Sequence, residues 1–376
     1  ATVSLCNTDM AQMIPAYEPR KPAETARIAI LGTVGVPGRY GGFETLAESL
    51  VRFHARTENA TGLSVWCSGR DNTAHPERFE SADLRYVKLR ANGVQSILYD
   101  VVSLWQAVRS GHDRILLLGV SGALALPLIR LISRARIVTN IDGIEWKREK
   151  WSRLARAVLR SSEWAAVRFS HEVIADNQAI ADHVRAVYRS PCHVIAYGGD
   201  HSVSQPPTPD LLPAGLPDRY ALALCRIEPE NNVHTILEAW ENLEIPLVFV
   251  GNWANSAYGQ GLKQRFGDRT NLFLLDPIYD PGGLRALRDR AAIYVHGHSA
   301  GGTNPSLVEM MHFGIPVLAH GCAFNRHSTE ERARYFESPA ELAALVRDLD
   351  PKDAAEIGSA MKAIALQRYT WDQIGM

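Results

Sequence analysis

The stretch of this chain richest in potential chemistry is HGHSAGGTNPSLVEMMHFGIPV, from His296 to Val317. Asn304 is a good helix N-cap, Pro305 suits the first helical position, and Gly314 ends the helix before the next apolar run. Ahead of the cap, Gly301, Gly302 and Thr303 form a small-residue loop whose amides, with the helix dipole, suit an anion. A diphosphate is the expected occupant. Glu309 follows the cap by five residues, about 7 to 8 Å along the axis at about 1.5 Å per residue. That separation fits phosphate at the helix tip and ribose hydroxyls at the carboxylate; a solvated helical glutamate is the plainer alternative.

Three further stretches carry candidate chemistry. GTVGVPGRYGGFE, Gly32 to Glu44, joins an apolar run to a helical pattern, and Gly41 and Gly42 remove side chains that would keep a phosphate or sugar from the amides there. Its length and its Pro37, Arg39 and Tyr40 separate it from the dinucleotide fingerprint, and a plain strand-to-helix turn reads equally well. Arg226 directly follows the run YALALC, where a guanidinium can grip a diphosphate, although surface arginines are common. In NIDGIEWKREKW, Asp142 and Glu145 would face a cleft and take a proton from an acceptor hydroxyl, or simply cap and charge a helix start.

The segment from Trp146 to Ser170 holds seven Lys or Arg residues against Glu149 and Glu163, with Trp146, Trp151 and Trp164 interleaved. Trp146, Lys147, Arg148, Lys150 and Trp151 are therefore the expected membrane or acceptor face. A solvated helix with its tryptophans turned to the core has the same pattern. Two other motifs point away from metal chemistry. Asp348-Leu349-Asp350 resembles a D-x-D pair but ends a helix in a charged tail, and His296, His298 and His312 lack the helical spacing of a zinc site.

These residues need elements to position them. From Arg27 to Gly199 the runs RIAIL, LSVWC, YVKLR, RILLLGV, RIVTNID, EVIADN and HVIAYGG alternate with helical patterns, which predicts a parallel sheet covered by helices. The proline-rich stretch from His201 to Arg219 reads as a linker. Alternation restarts at YALALC and continues through PLVFVG, NLFLLD, AIYVHG and PVLAH. The expected organisation is a mobile extension over 1–26, a Rossmann-like acceptor domain over 27–200, the linker 201–219, a nucleotide-sugar domain over 220–355, and a terminal helix over 356–376 packing back on the first domain. Ligands of such open α/β sheets bind at the carboxyl edges of the strands, so a cleft between the two domains is expected.

Composition narrows the class. Lys and Arg number 40 and Asp and Glu 41 in 376 residues, so no global field favours nucleic acid. Five scattered cysteines, never in a C-x-x-C pair, fit a reducing compartment better than a disulfide framework. The opening residues lack an apolar leader core, and no run is long enough to span a bilayer. A cytoplasmic protein, peripheral at most, is expected.

Taken together, GTVGVPGRYGGFE, RIEPENN, VGNWANSAYG, YVHGHSAGGTNPSLVEMM and FNRHSTE resemble, in order, the retaining glycosyltransferases of family 4, and more narrowly their bacterial rhamnosyltransferase-like branch. The resemblance runs from Arg27 to the end. It implies an α/β GT-B fold, two Rossmann-like doubly wound domains facing across a cleft, and a retaining, metal-independent glycosyltransferase. It makes Arg226 the diphosphate ligand, Glu309 the ribose ligand, and Gly41 and Gly42 the first-domain backing of the donor. Asn231 stands where the broader family has a lysine, and Gly301 where it has the first glutamate of an E-x7-E pair. The implied donor site comprises Gly41, Gly42, Arg226, Asn231, His298, Gly301, Gly302, Thr303, Asn304, Ser306 and Glu309. The branch implies a sugar such as rhamnose from a dTDP donor and a lipid-linked saccharide acceptor at the cytoplasmic face of the inner membrane. A UDP-sugar donor, or a nucleotide-sugar-binding module without catalysis, are the other readings.

Overall fold

The computed structural model describes residues 26–38, 41–57, 61–93, 95–141, 143–144, 146 and 152–376. Asp142, Glu145, Lys147, Arg148, Lys150 and Trp151 lie outside the described residues, as does the extension over 1–25.

The first lobe is built on strands β1 (Arg27–Leu31), β2 (Gly62–Ser68), β3 (Arg78–Phe79), β4 (Ala82–Val87), β5 (Arg114–Leu118), β6 (Arg136–Ile141), β7 (Glu172–Ala175) and β8 (His193–Val194). Its helices are α1 (Gly42–Arg56), α2 (Gln95–Arg109), α3 (Leu126–Ile132), α4 (Arg153–Phe169) and α5 (Gln178–Tyr188), with a 3-10 turn at Ala123–Ala125. The strands run in the order β3-β4-β2-β1-β5-β6-β7-β8, parallel throughout apart from the short antiparallel β3.

A short helix α6 (His201–Ser204) leads to the second lobe, with strands β9 (Tyr220–Leu224), β10 (Leu247–Val250), β11 (Leu272–Leu275), β12 (Ala291–His296), β13 (Val317–His320) and β14 (Arg334–Phe336). Its helices are α7 (Val233–Ala239), α8 (Ala257–Phe266), α9 (Pro281–Asp289), α10 (Pro305–Met311), α11 (Ala323–Ser328), α12 (Pro339–Asp348), α13 (Pro351–Arg368) and α14 (Trp371–Gly375). The sheet is wholly parallel in the order β11-β10-β9-β12-β13-β14, the doubly wound order with its switch point between β9 and β12.

The central strands are unbroken apolar runs because helices cover both sheet faces. All five residues of β9 and all four of β10 are buried. In the first lobe, α2 to α5 supply Leu104, Ile129, Ala165 and Ile180 to one shared core, while Leu46 and Val51 of α1 belong to another. Right-handed crossovers explain the division: strands added to the right of β1 place their helices on one face, and the strand to its left places α1 on the other.

Several elements differ from the sequence expectation. YVKLR stops as a strand at Val87, and HVIAYGG contributes only the two residues of β8. There the chain leaves the sheet, because the ring of Trp371 lies against Gly198 and the α10 backbone against Gly199, leaving no room for side chains at either glycine. The terminal helical pattern is two helices. Tyr369 interrupts it, its hydroxyl donating to the Ser328 carbonyl at 2.8 Å and its own carbonyl accepting from Gly199 N at 2.7 Å. The Thr370 side chain then caps α14. That last helix rests on the first lobe, with Gly375 against the Phe53 ring and Arg56 paired to Asp372 at 2.8 Å.

Candidate functional site

The carboxyl ends of both sheets point at one another. In the second lobe, Asn304 accepts from Ser306 N at 3.1 Å and so caps α10. The Ser306 hydroxyl lies 2.8 Å from Asn304 Oδ1 and 3.4 Å from the carbonyl of Leu224, the last residue of β9, and the Tyr294 hydroxyl donates to it at 3.0 Å. These bonds seat the α10 tip over the β9–β12 switch point. Arg226 follows immediately at that edge, exposed, with its guanidinium unpaired among the described residues.

The loops around the switch point brace one another through main-chain atoms. Asn231 is buried and donates to the Arg226 carbonyl at 2.7 Å, Asn232 donates to the Gly297 carbonyl at 2.8 Å, and Ser299 donates through both N and Oγ to the Glu230 carbonyl. Asn231 thus shapes the Arg226 loop from beneath. A side chain at Gly297 would overlap the Asn231 carbonyl, which explains a glycine next to His298. His298 stacks on His296, with ring centroids 4.4 Å apart and planes 15° from parallel. Burial, then the nearby His298 and His320, hold His296 well below the usual imidazole pKa, so it is neutral at pH 7.

The first lobe presents a helix start from the opposite side. No side chain caps α1, and a Cβ placed on Gly42 would lie 3.7 Å from Pro305 Cγ and 4.0 Å from the Tyr197 hydroxyl. The amino ends of α1 and α10 therefore face each other across the cleft. Gly41 has φ 130°, and a side chain there would overlap the Glu44 carboxylate. Glu44 was not singled out in the sequence. It is buried and accepts from Val34 N at 2.8 Å and Thr33 Oγ1 at 3.1 Å, while Glu48 accepts from Gly38 N at 2.7 Å. The loop before α1 is thereby strapped to its own helix, leaving the first turn of α1 as the open donor set. An acid three residues after a helix-start glycine is the signal that pointed there.

The lobes also touch directly. The Thr303 hydroxyl donates to the Asp176 carbonyl, and Asn177 Nδ2 reaches the Phe324 carbonyl and Ser328 Oγ, each at 3.1 Å. Gly302 is a requirement of this junction, since a methyl group there would overlap the Asp176 carboxylate.

Glu309 lies one turn along α10 with 12% of its side chain exposed. Its Oε2 is held by Arg288 and its Oε1 by His201 Nε2 at 3.2 Å. Burial by itself would raise this carboxyl; the Arg288 charge and the His201 hydrogen bond outweigh it and hold the group at about 2. Trp371 Nε1 lies 3.0 Å from His201 Nδ1. An indole N–H only donates, so Nδ1 must accept, and the imidazole is the neutral tautomer with its proton on Nε2, directed at Glu309. The terminal helix that rests on the first lobe is thus linked to the carboxylate of α10.

Other expected residues fall outside this cleft. Trp146 is half-buried, its indole donating at 3.1 Å to the buried Glu163, which also bonds His183 at 2.9 Å and Tyr188 at 2.7 Å. Trp164, in contrast, is 50% exposed. Asp350 caps α13 through Lys352 N and Asp353 N, both at 2.8 Å, and Asp348 is the last residue of α12. Among the described residues, no group of three His, Cys, Asp or Glu side chains is arranged to hold a metal ion.

Most of the chain, 93% in each case, superposes on solved two-lobe structures. Sucrose-phosphate synthase from Thermosynechococcus elongatus matches with a TM-score of 0.76 at 15% identity, over 93% of this chain and 96% of that one. The fold is GT-B. HepE of Anabaena, solved in complex with UDP and glucose, matches with a TM-score of 0.69 at 19% identity, over 93% and 97% of the two chains. The UDP-forming α,α-trehalose-phosphate synthase from Burkholderia vietnamiensis matches at 0.68 and 11%, over 93% and 98%. Residues 25–200 match a family described as a domain of unknown function, DUF1972. No curated protein sequence matches the chain.

Proposed function

We propose that this chain is a glycosyltransferase that takes a sugar from a nucleoside diphosphate donor bound in the cleft. The observation that carries the reading is the convergence of an unpaired, exposed Arg226 with two facing helix starts at the switch point of the second sheet. A diphosphate placed there meets the Arg226 fork, the amides around Gly301, Gly302 and Thr303, and the open first turn of α1 at Gly41 and Gly42. An ionised carboxylate has about four lone-pair sites, so Glu309 retains capacity for ribose hydroxyls beyond Arg288 and His201. His298 and Ser306 line the same edge, and Asn231 holds the Arg226 loop in place. Two proteins of this fold, HepE in its complex with UDP and glucose and the UDP-forming trehalose-phosphate synthase, support a nucleotide ligand.

The finer reading follows from the motif resemblance. The donor is dTDP-rhamnose, transfer retains the anomeric configuration, and the acceptor is a lipid-linked saccharide at the cytoplasmic membrane face. Arg226 and the helix-start amides supply the counter-charge for the leaving diphosphate, so no divalent cation is required. Asp142 and Glu145, which come after β6 in the sequence, are assigned to positioning the acceptor hydroxyl.

The test is direct. The purified chain is incubated with dTDP-rhamnose or UDP-glucose and a polyprenyl-diphosphate-linked sugar, with and without EDTA, and the product linkage is read by NMR. An axial-to-axial or equatorial-to-equatorial product, insensitive to EDTA and lost in Arg226→Ala, is expected. Nucleotide binding without transfer to any acceptor would instead favour a binding module, and the absence of nucleotide binding would remove the reading.

A further inference from the structure

Beyond the cleft, the first lobe leaves an unusual amount of apolar surface in water. Along the 3-10 turn and α3, Leu124, Leu128, Leu131 and Ile132 are exposed, Leu131 at 84%; on the adjacent α4, Leu154 is 77% exposed and Trp164 50%. The two helices are neighbours: α3 packs beside α4, and Arg130 Nη1 reaches the Phe169 carbonyl at the end of α4. Single exposed leucines are ordinary, but six large apolar side chains exposed on neighbouring elements mark an interaction surface. The second lobe exposes fewer large apolar side chains, Tyr279 and Leu366 among them.

The charge on the same helices is one-sided. Arg130, Arg153, Arg160 and Arg168 are exposed on α3 and α4, and the acid of these helices, Glu163, is buried beneath Trp146, His183 and Tyr188. A depression of about 720 Å³ continues the face between α4 and α5, walled by Trp146, Arg160, Trp164 and Tyr188. Leucines and a tryptophan flanked by arginines, with no exposed carboxylate among the described residues of either helix, complement an anionic lipid surface: apolar tips enter the acyl boundary while guanidinium groups stay at headgroup level. A contact made through these side chains lies in the plane of the interface.

We infer that the α3–α4 face is the docking surface for an anionic bilayer, with Leu128, Leu131 and Leu154 as the inserting side chains and Arg130, Arg153 and Arg160 as the headgroup contacts. The inference deepens the proposed transfer to a lipid-linked acceptor and rests on that reading for its purpose. The amino ends of α3 and α4 lie at the carboxyl edge of the first sheet, so a bilayer held here brings the headgroup of a lipid acceptor toward the cleft.

The experiment is co-sedimentation of the full chain with phosphatidylcholine vesicles, with and without phosphatidylglycerol, alongside thermal shift by UDP and dTDP. Wild type is expected to bind the phosphatidylglycerol vesicles, less so at high salt. Leu128→Glu combined with Leu131→Glu should weaken binding by about tenfold or more, and Arg153→Glu combined with Arg160→Glu by roughly tenfold. All four side chains are at least partly in solvent, and unchanged unfolding curves would confirm intact variants. Wild type that ignores both vesicles, or variants that bind like wild type, would overturn the inference. A concentration-dependent dimer abolished by the leucine variants, with no vesicle binding, would overturn it in favour of a second copy of the chain. Retained nucleotide shift with no bilayer binding sinks this surface alone; retained bilayer binding with no nucleotide shift supports the surface and sinks the transfer reading.

Discussion

The two lobes share one architecture and differ in where they keep their polar atoms. In the second lobe the strand ends are knitted by side-chain bonds to main chain, Asn231 to Arg226, Asn232 to Gly297 and Ser299 to Glu230, and Arg226 alone of that loop's side chains stands clear as an unpaired cation. In the first lobe the loop before α1 is strapped by Glu44 and Glu48, the helix start is bare glycine, and the outer helices expose leucine. The difference teaches that a doubly wound sheet fixes where a site lies but not what it binds. Rigid polar loops suit a small anion, and an apolar helical flank suits a larger apolar surface.

The largest expected effect comes from removing the carboxylate that the second lobe buries. Glu309→Ala leaves Arg288 charged and unpartnered in a closed site, which should cost roughly 3 to 5 kcal/mol in urea unfolding together with turnover. If stability is unchanged, Arg288 has found water and the lobe is less rigid than this structure indicates. Arg226→Ala should behave oppositely, with an unchanged unfolding curve and nucleotide affinity about tenfold to a hundredfold weaker by calorimetry. Equal nucleotide affinity in that variant would dissolve the contrast between the lobes.

The junction between them is probed next. Gly302→Ala pushes a methyl group into the Asp176 carboxylate, and overpacking of this kind typically costs about 1 to 3 kcal/mol. Small-angle scattering should show a more open particle, with turnover reduced roughly tenfold. Acid sharpens the same picture. Glu309 sits at about 2 when folded, below its ordinary 4.5, so its ionised state adds stability that is full above 4.5 and lost as pH falls through about 2. Wild type should therefore lose stability between these values more steeply than Glu309→Gln. The smallest effect is expected from Trp371→Phe, which keeps a ring against Gly198 but removes the proton donor to His201. Stability should change by no more than about 1 kcal/mol. The Michaelis constant for the donor should rise a few-fold, with the maximal rate unaltered.

Much of this was legible in the chain. Apolar runs such as YALAL and RILLL, with helical patterns between them, specify two parallel sheets because only covered sheets bury such strands on both faces. The cap at Asn304 and the glycines at 41, 42, 301 and 302 were readable because local backbone geometry restricts residue choice. The partners of Glu309 were not, since Arg288 and His201 come from separate elements and no spacing links them. Nor was the division of the tryptophans: Trp146 and Trp164 occupy one basic pattern, and only the buried Glu163 decides that one turns inward.

By itself the sequence determined the elements, their α/β alternation and the small-residue starts of the helices, because each is set by preferences acting over a few residues. Tertiary structure alone decided that α1 and α10 meet end to end, that Trp371 of the last helix reaches His201, and that α3 keeps its leucines in water. Those outcomes depend on which surfaces long-range packing leaves uncovered, and no local pattern contains that information.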